Sequence, residues 1–240
     1  MLKVDRIYKV FNPGTVNQKT ALRDVSIHLE EGDFVTLIGG NGAGKSTLLN
    51  CVAGVYGVDK GAIYIAGTDV TKLPEHKRAA MLGRVFQDPM MGTASDMILE
   101  ENLALALRRG QPRSLKWGIT NKERETYRQM LSRLDLGLEN RLHTKVGLLS
   151  GGQRQAITLL MATVKKPKLL LLDEHTAALD PKTAERVLSM TDQLIKENNL
   201  TTMMITHNMR DAIKYGNRLI MMHDGRIILD IKGDEKKKLT

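Results

Sequence analysis

Apolar and polar residues alternate in Val25-Ser26-Ile27-His28-Leu29 and in Ala62-Ile63-Tyr64-Ile65. With glycine-containing turns beside both, this period of two predicts half-buried strands near the N-terminus. Three other segments carry no alternation: Phe34 to Ile38, Lys168 to Asp173 and Met203 to Thr206 are short apolar runs, each followed by a helical pattern. That arrangement predicts buried parallel strands of an α/β sheet. Between residues 88 and 165 the period changes, and Leu99, Leu103, Ala106 and Leu107 fall on one helical face that ends at Arg108-Arg109-Gly110. Thr120 and Glu123 form a capping box ahead of Tyr127, Met130, Leu131 and Leu134, with Pro112 and Gly118 marking the loop between the two helices. Arg218 to His223, Asp224-Gly225 and Arg226 to Ile231 read as a hairpin with an Asp-Gly turn. The expected organisation is a core from residues 1–87 and 166–231 that includes the β region, a helical insert at 88–165, and a charged tail at 232–240.

Composition narrows the class. The 240 residues are 42% hydrophobic and 26% charged, which excludes a disordered or fibrous chain and allows one substantial core or two small lobes. Cys51 is the single cysteine, so no internal disulfide forms, and a reducing compartment is expected. Met1 to Asp5 runs straight into charged and polar residues, unlike an export signal. The longest run of low polarity, Ala156 to Val164, falls short of the roughly 18 to 20 residues a bilayer requires, so any membrane role is expected to be peripheral. Lysine and arginine total 36 against 27 acidic residues, a net charge of +9 that points to nucleic acid, phosphate or an anionic membrane face.

The chemistry concentrates in three segments. Gly39-Gly40-Asn41-Gly42-Ala43-Gly44-Lys45-Ser46 fits the phosphate-binding pattern GxxxxGK[ST], between a predicted strand and a helix that begins near Lys45. Glycines let successive N–H groups face phosphate oxygens, the helix N-terminus adds its dipole, Lys45 a charge and Ser46 a magnesium ligand. An ordinary glycine-rich turn explains neither the Lys-Ser pair nor the strand-to-helix setting. Asp173 and Glu174 end a buried strand at the edge where open α/β sheets bind ligands. One carboxylate there can hold metal while the next orients or deprotonates water, as hydrolysis of a γ-phosphate needs. Leu149-Ser150-Gly151-Gly152-Gln153-Arg154-Gln155 supplies a hydroxyl and a glycine-opened helix N-terminus, a second anion-binding surface or simply a capped helix.

This third segment resembles the signature sequence of the ATP-binding cassette (ABC) ATPases, and the resemblance extends from about Leu2 to Ile231 with the motifs in the family's order. It implies an α/β P-loop NTPase: a RecA-like, mostly parallel sheet with an N-terminal antiparallel β subdomain and a helical signature subdomain. It implies that ATP is held by Gly39 through Thr47, and that Ser150, Gly151 and Gly152 act on the γ-phosphate bound to another subunit. Asp180 matches the D-loop, Gln87 the glutamine that senses magnesium, Glu174 the catalytic carboxylate and His207 the switch histidine. Mg2+ would then lie among Ser46, Gln87 and Asp173, with Phe11 stacked on adenine and Tyr8 as the alternative. Cys51, in the helix after the phosphate loop, reads as a small buried hydrophobe.

His175 departs from the proline common after the glutamate, and Gln155 to Thr163 lacks the arginine common after the signature. Phe11-Asn12-Pro13-Gly14-Thr15-Val16 resembles ATPase subunits of bacterial tripartite importers that work with a substrate-binding lipoprotein. The expected protein is therefore a peripheral ATPase on the cytoplasmic face of the membrane. It would pair head to tail with a second copy and drive separate permease subunits, serving an extracytoplasmic binding protein indirectly, with a small solute such as an amino acid as cargo. The alternative is an ABC-type ATPase acting on nucleic acid or the ribosome. The single phosphate loop and the absence of a long coiled coil or zinc insertion argue against it, so no nucleic-acid partner is expected. A non-hydrolysing ATP sensor is disfavoured by Glu174 and His207 together. The basic residues Arg108, Arg109, Arg113, Lys116, Lys122, Arg124 and Arg128 fall in the helical insert, facing either anionic lipid or solvent.

Overall fold

A computed structural model describes residues 1–111 and 118–239. The strands, in chain order, are β1 (Leu2–Phe11), β2 (Lys19–Leu29), β3 (Phe34–Ile38), β4 (Lys60–Ile65), β5 (Thr68–Asp69), β6 (Leu82–Val85), β7 (Leu169–Asp173), β8 (Thr202–Ile205), β9 (Arg218–His223) and β10 (Arg226–Lys232). The helices are α1 (Lys45–Ala53), α2 (Glu75–Arg78), α3 (Leu99–Leu107), α4 (Asn121–Ser132), α5 (Gly151–Thr163), α6 (Pro181–Asn198), α7 (Met209–Lys214) and α8 (Asp234–Lys237). Two sheets result. Four antiparallel strands run in the order β2-β1-β4-β5, and six run in the order β10-β9-β3-β8-β7-β6, with β10 alone antiparallel to its neighbour.

The apolar runs explain the second sheet. All five residues of β3 and the four leucines at 169–172 are buried, as strands covered on both faces must be. Full burial of each such side chain contributes roughly 1.5–3 kcal/mol. The alternating strands instead bury one face: Val25, Ile27 and Leu29 of β2 and Ile63 and Ile65 of β4 join Leu48, Leu49 and Val52 of α1 in one core. This core holds the phosphate-loop helix between the two sheets. Buried Arg78 pins its far end, with Nη1 donating to Cys51 O at 2.8 Å and Val52 O at 2.9 Å, and Nε to Leu73 O at 2.8 Å. A cation at a helix C-terminus also complements the helix dipole. Cys51 is buried beside it, and desolvation pushes its thiol up to about 11, which leaves it inert.

The helical region between the sheets' strands packs its own core. Leu99 and Leu103 meet Tyr127, Leu131, Leu134 and, from α5, Ala156 and Ile157, while Met130 and Leu107 are only partly buried. The Thr120–Glu123 capping box forms, with Thr120 N–H donating to Glu123 Oε2 at 2.7 Å. Three of the basic side chains here pair with acids of the lobe: Arg108 with Glu123 at 3.2 Å, Arg124 with Glu100 at 2.8 Å and Arg128 with Glu125 at 3.4 Å. Pro112, Arg113 and Lys116 lie outside the described residues. The charged tail, in turn, is docked. Lys236 is buried, its ammonium donating to Tyr215 O and to Gly216 O at 3.0 Å, and desolvation lowers its pKa to about 8. Among the described residues no helix is long and apolar enough to cross a membrane.

Candidate functional site

The phosphate loop forms because two glycines hold conformations no other residue adopts easily. Gly39 has φ +148°, and a Cβ there would sit 2.3 Å from Met222 O; Gly44 has φ +103°, and a Cβ would sit 2.6 Å from Ala21 O. The left-handed Gly44 is the N-cap of α1 and offers no side-chain cap, so the first-turn N–H groups remain available to an anion. Lys45 is 5% exposed, and its Nζ donates to Gly39 O at 2.8 Å and Gly40 O at 3.1 Å. Desolvation lowers the Lys45 pKa, opposed by the nearby charges of Glu174 and Asp173.

A pocket opens over this loop, lined by Asn41 to Thr47, Phe11, Lys19, Ala21, Glu174 and His207. Glu174 follows β7 in the left-handed region at φ +48°, and its N–H donates to Ile205 O at 3.1 Å. That backbone brings its carboxylate Oε1 to 2.5 Å from Nε2 of His207, which follows β8. A carboxylate and an imidazole in hydrogen-bond contact beside a phosphate cradle can accept and hold the proton of an attacking water. Asp173, the last residue of β7, is 17% exposed at its side chain and lies 3.9 Å from Arg84 Nη2. Burial raises its pKa, against the lowering effect of Arg84.

Not every expected residue converges. Gln87, two residues beyond β6, is exposed and does not line the pocket, because the chain turns outward there into the helical region. Gly39 and Gly40 contribute carbonyls to Lys45 rather than pocket wall. Of the two aromatics, Phe11 reaches the pocket, held edge-on by Tyr56 at 5.2 Å, whereas Tyr8 lies outside it with the Lys60 ammonium 5.8 Å from its ring. Ser150, Gly151 and Gly152 do not line this pocket. Ser150 and Gly152 line a separate surface depression with Asp135, Thr183 and Arg186. There the Ser150 hydroxyl accepts from Gln153 N–H at 3.2 Å, and the Gln153 side-chain Oε1 accepts from Ser150 N–H at 3.2 Å, a complete capping box. The Asp180 carboxylate likewise caps α6, accepting from Thr183 N–H at 3.1 Å.

Sequence reasoning missed two residues. Lys19 lines the pocket from the antiparallel sheet, and Arg84 joins elements around Asp173, donating to Asn50 Oδ1 of α1 at 2.6 Å and stacking on Phe86 at 4.5 Å. Neither lies in a motif. His175, the departure after Glu174, is buried, and its Nε2 lies 3.1 Å from Thr191 Oγ1; desolvation lowers its pKa to about 4, so the imidazole is neutral. The Thr191 hydroxyl donates to Val187 O at 2.7 Å, which leaves its oxygen to accept from the histidine.

Comparison with known proteins agrees with this geometry. The ABC transporter family matches residues 22–177, more than half of the chain. The tyrosine transport ATP-binding protein of Clostridioides difficile (strain R20291) is 45% identical over 240 residues, spanning 100% of this chain and 95% of that protein. The methionine import ATP-binding protein MetN of Streptococcus pneumoniae (strain ATCC BAA-255 / R6) is 32% identical over 253 residues, 100% of this chain and 68% of that one. Among solved structures, the dimeric post-hydrolysis ATP-binding cassette MJ0796 bound to ADP and Pi superposes with a TM-score of 0.81 at 27% identity, covering 97% of this chain and 98% of the other. The ADP conformation of the cassette MJ1267 superposes equally well, with a TM-score of 0.81 at 29% identity over 98% and 92% of the two chains. The chain belongs to the ABC transporter family, as an ATP-hydrolysing, ATP-binding subunit.

Proposed function

We propose that this subunit powers a bacterial amino-acid importer from the cytoplasmic face of the membrane. Two copies close head to tail around two ATP and pull on separate permease subunits, to which an extracytoplasmic binding protein delivers the cargo. The catalytic half of this reading is carried by the 2.5 Å contact between Glu174 and His207 at the mouth of the phosphate loop. The cargo half is supported by the 45% identity, along the whole chain, to a tyrosine transport ATP-binding protein. Tyrosine is accordingly the first cargo to test.

In this mechanism the loop amides from Gly39 to Thr47 and the start of α1 hold the β- and γ-phosphates. The Lys45 ammonium exchanges the carbonyls of Gly39 and Gly40 for phosphate oxygens. Phe11 packs on the adenine ring, its own ring already braced by Tyr56. Glu174 takes the proton of the attacking water, and His207 keeps the carboxylate oriented before bonding the γ-phosphate. Ser46, Asp173 and Gln87 would hold Mg2+ through the hard oxygen donors that this ion prefers. When bound, Mg2+ neutralises the negative charge that develops on the phosphates. Ser150, Gly151, Gly152 and Asp180 act on the nucleotide held by the second copy.

Capture of the tagged subunit from membranes tests the assembly: a permease subunit is expected to co-purify, and its absence overturns the transporter reading. Uptake of labelled tyrosine by proteoliposomes holding the captured complex and its binding protein then tests the cargo. Tight DNA binding with a steep dependence on salt would favour a nucleic-acid machine instead.

A further inference from the structure

In the β1–β2 ladder Phe11 stands directly opposite Lys19, the last pair of the register. Opposed residues of an antiparallel pair project to the same face, so the aromatic side chain and the lysine both enter the pocket. Lys19 Nζ lies 3.5 Å from where a Cβ on Gly42 would stand, placing the ammonium over the middle of the phosphate loop. Among the described residues Lys19 forms no salt bridge, whereas the neighbouring Lys9 is paired with Asp59 at 3.4 Å. Glu174, the acid of the same pocket, is engaged with His207. An exposed cation thus spans the gap between the aromatic plate and the loop. It comes from the antiparallel sheet, while Glu174 and His207 follow strands of the other.

We propose that Lys19 is a nucleotide-binding residue whose ammonium bonds the phosphates common to ATP and ADP. The inference rests on the nucleotide site argued above. A nucleotide with its base against Phe11 and its outer phosphate near Glu174 runs its inner phosphates past Lys19. The lysine then adds a charge-assisted contact to the loop amides, and it does so equally before and after hydrolysis. It contributes to affinity and not to the chemical step, because ground state and transition state present the same inner phosphates to it.

Titration calorimetry with ATP and ADP tests this, using the full chain and its Lys19→Ala, Lys19→Arg and Lys45→Ala variants, together with steady-state hydrolysis. Lys19→Ala is expected to weaken ATP and ADP alike by about fivefold at low salt, to raise KM by a similar factor and to leave kcat unchanged. Lys19→Arg restores the affinity, and the difference fades as salt screens the exposed charge. Lys19 is at the surface, so the variant should melt with the parent chain. Unchanged affinity in Lys19→Ala, a loss for ATP without one for ADP, or a fall in kcat overturns the proposal. Lys45→Ala separates the two levels. If it binds ATP normally, the nucleotide-site reading itself falls; if it loses ATP while Lys19→Ala does not, only the Lys19 assignment falls.

Discussion

Two helices of this protein begin in glycine-rich loops, and they begin differently. At α1 the N-cap is a left-handed glycine without a side chain, and a buried lysine folds back over the loop. At α5 the N-cap is Ser150, whose capping box with Gln153 pairs the Ser150 and Gln153 N–H groups. The first terminus has no side-chain cap for its donors; the second already bonds one of them, at Gln153. A serine cap stabilises a helix by about 1 kcal/mol, so an anion arriving at α5 competes with a bond that α1 never makes. The difference fits a cassette in which one loop holds its own nucleotide, while the other meets a nucleotide only when a second copy brings it.

The sharpest test of that asymmetry removes the chemistry and keeps the cradle. Glu174→Gln should reduce phosphate release about a thousandfold while ATP stays bound, accumulating a closed dimer visible by size exclusion; normal turnover would break the catalytic assignment. Lys45→Ala should weaken ATP about a hundredfold by calorimetry, with no effect on the fold of α5. The glycines offer a third test in urea unfolding. Gly44→Ala forces a side chain to φ +103° against the Ala21 carbonyl, and should cost about 3 kcal/mol. In Gly152→Ala the new Cβ would meet the Thr183 side chain alone, its methyl at 2.3 Å, so it should cost about 1 kcal/mol and be relieved by Thr183→Ser. Least of all, Ser150→Ala should lower stability by about 1 kcal/mol and turnover several-fold, leaving the ATP affinity of the isolated chain unchanged. A loss of that affinity would mean the two loops are not independent.

Local chemistry explains why much of this site was legible in the sequence. The phosphate loop, the acidic strand end and the serine cap are each written in a few consecutive residues, with the strand or helix that positions them alongside. The buried runs at 34–38 and 169–172 likewise announced a parallel sheet. What escaped depends on register and distant packing. The choice between Tyr8 and Phe11 was open because the loop from Asn12 to Thr20 blurs the alignment, and β1 also shifts register three times, between Val4 and Ile7, Ile7 and Lys9, and Lys9 and Val10, so simple alternation does not tell which ring faces the pocket. Lys19 acquires meaning only from its pairing across that irregular ladder. Arg84 is an ordinary strand residue until folding brings Asn50 of α1 and Asp173 of β7 beside it. The basic helical insert stayed open between lipid and solvent for a related reason: charge counts do not reveal that Glu123, Glu100 and Glu125 pair with Arg108, Arg124 and Arg128.

The turn between β9 and β10 reaches back to the phosphate loop. Gly225 N–H donates to Ala43 O at 3.0 Å, Arg23 N–H donates to Gly225 O at 2.8 Å, and Met222 O lies against Gly39. The loop near residue 40 therefore leans on a hairpin made about 180 residues later. During synthesis on the ribosome, the nucleotide cradle stays unfinished until that hairpin has emerged and docked. A nascent chain that already displays the whole phosphate motif must still await that hairpin before the bonds from Gly225 to Ala43 and from Arg23 to Gly225 brace the cradle.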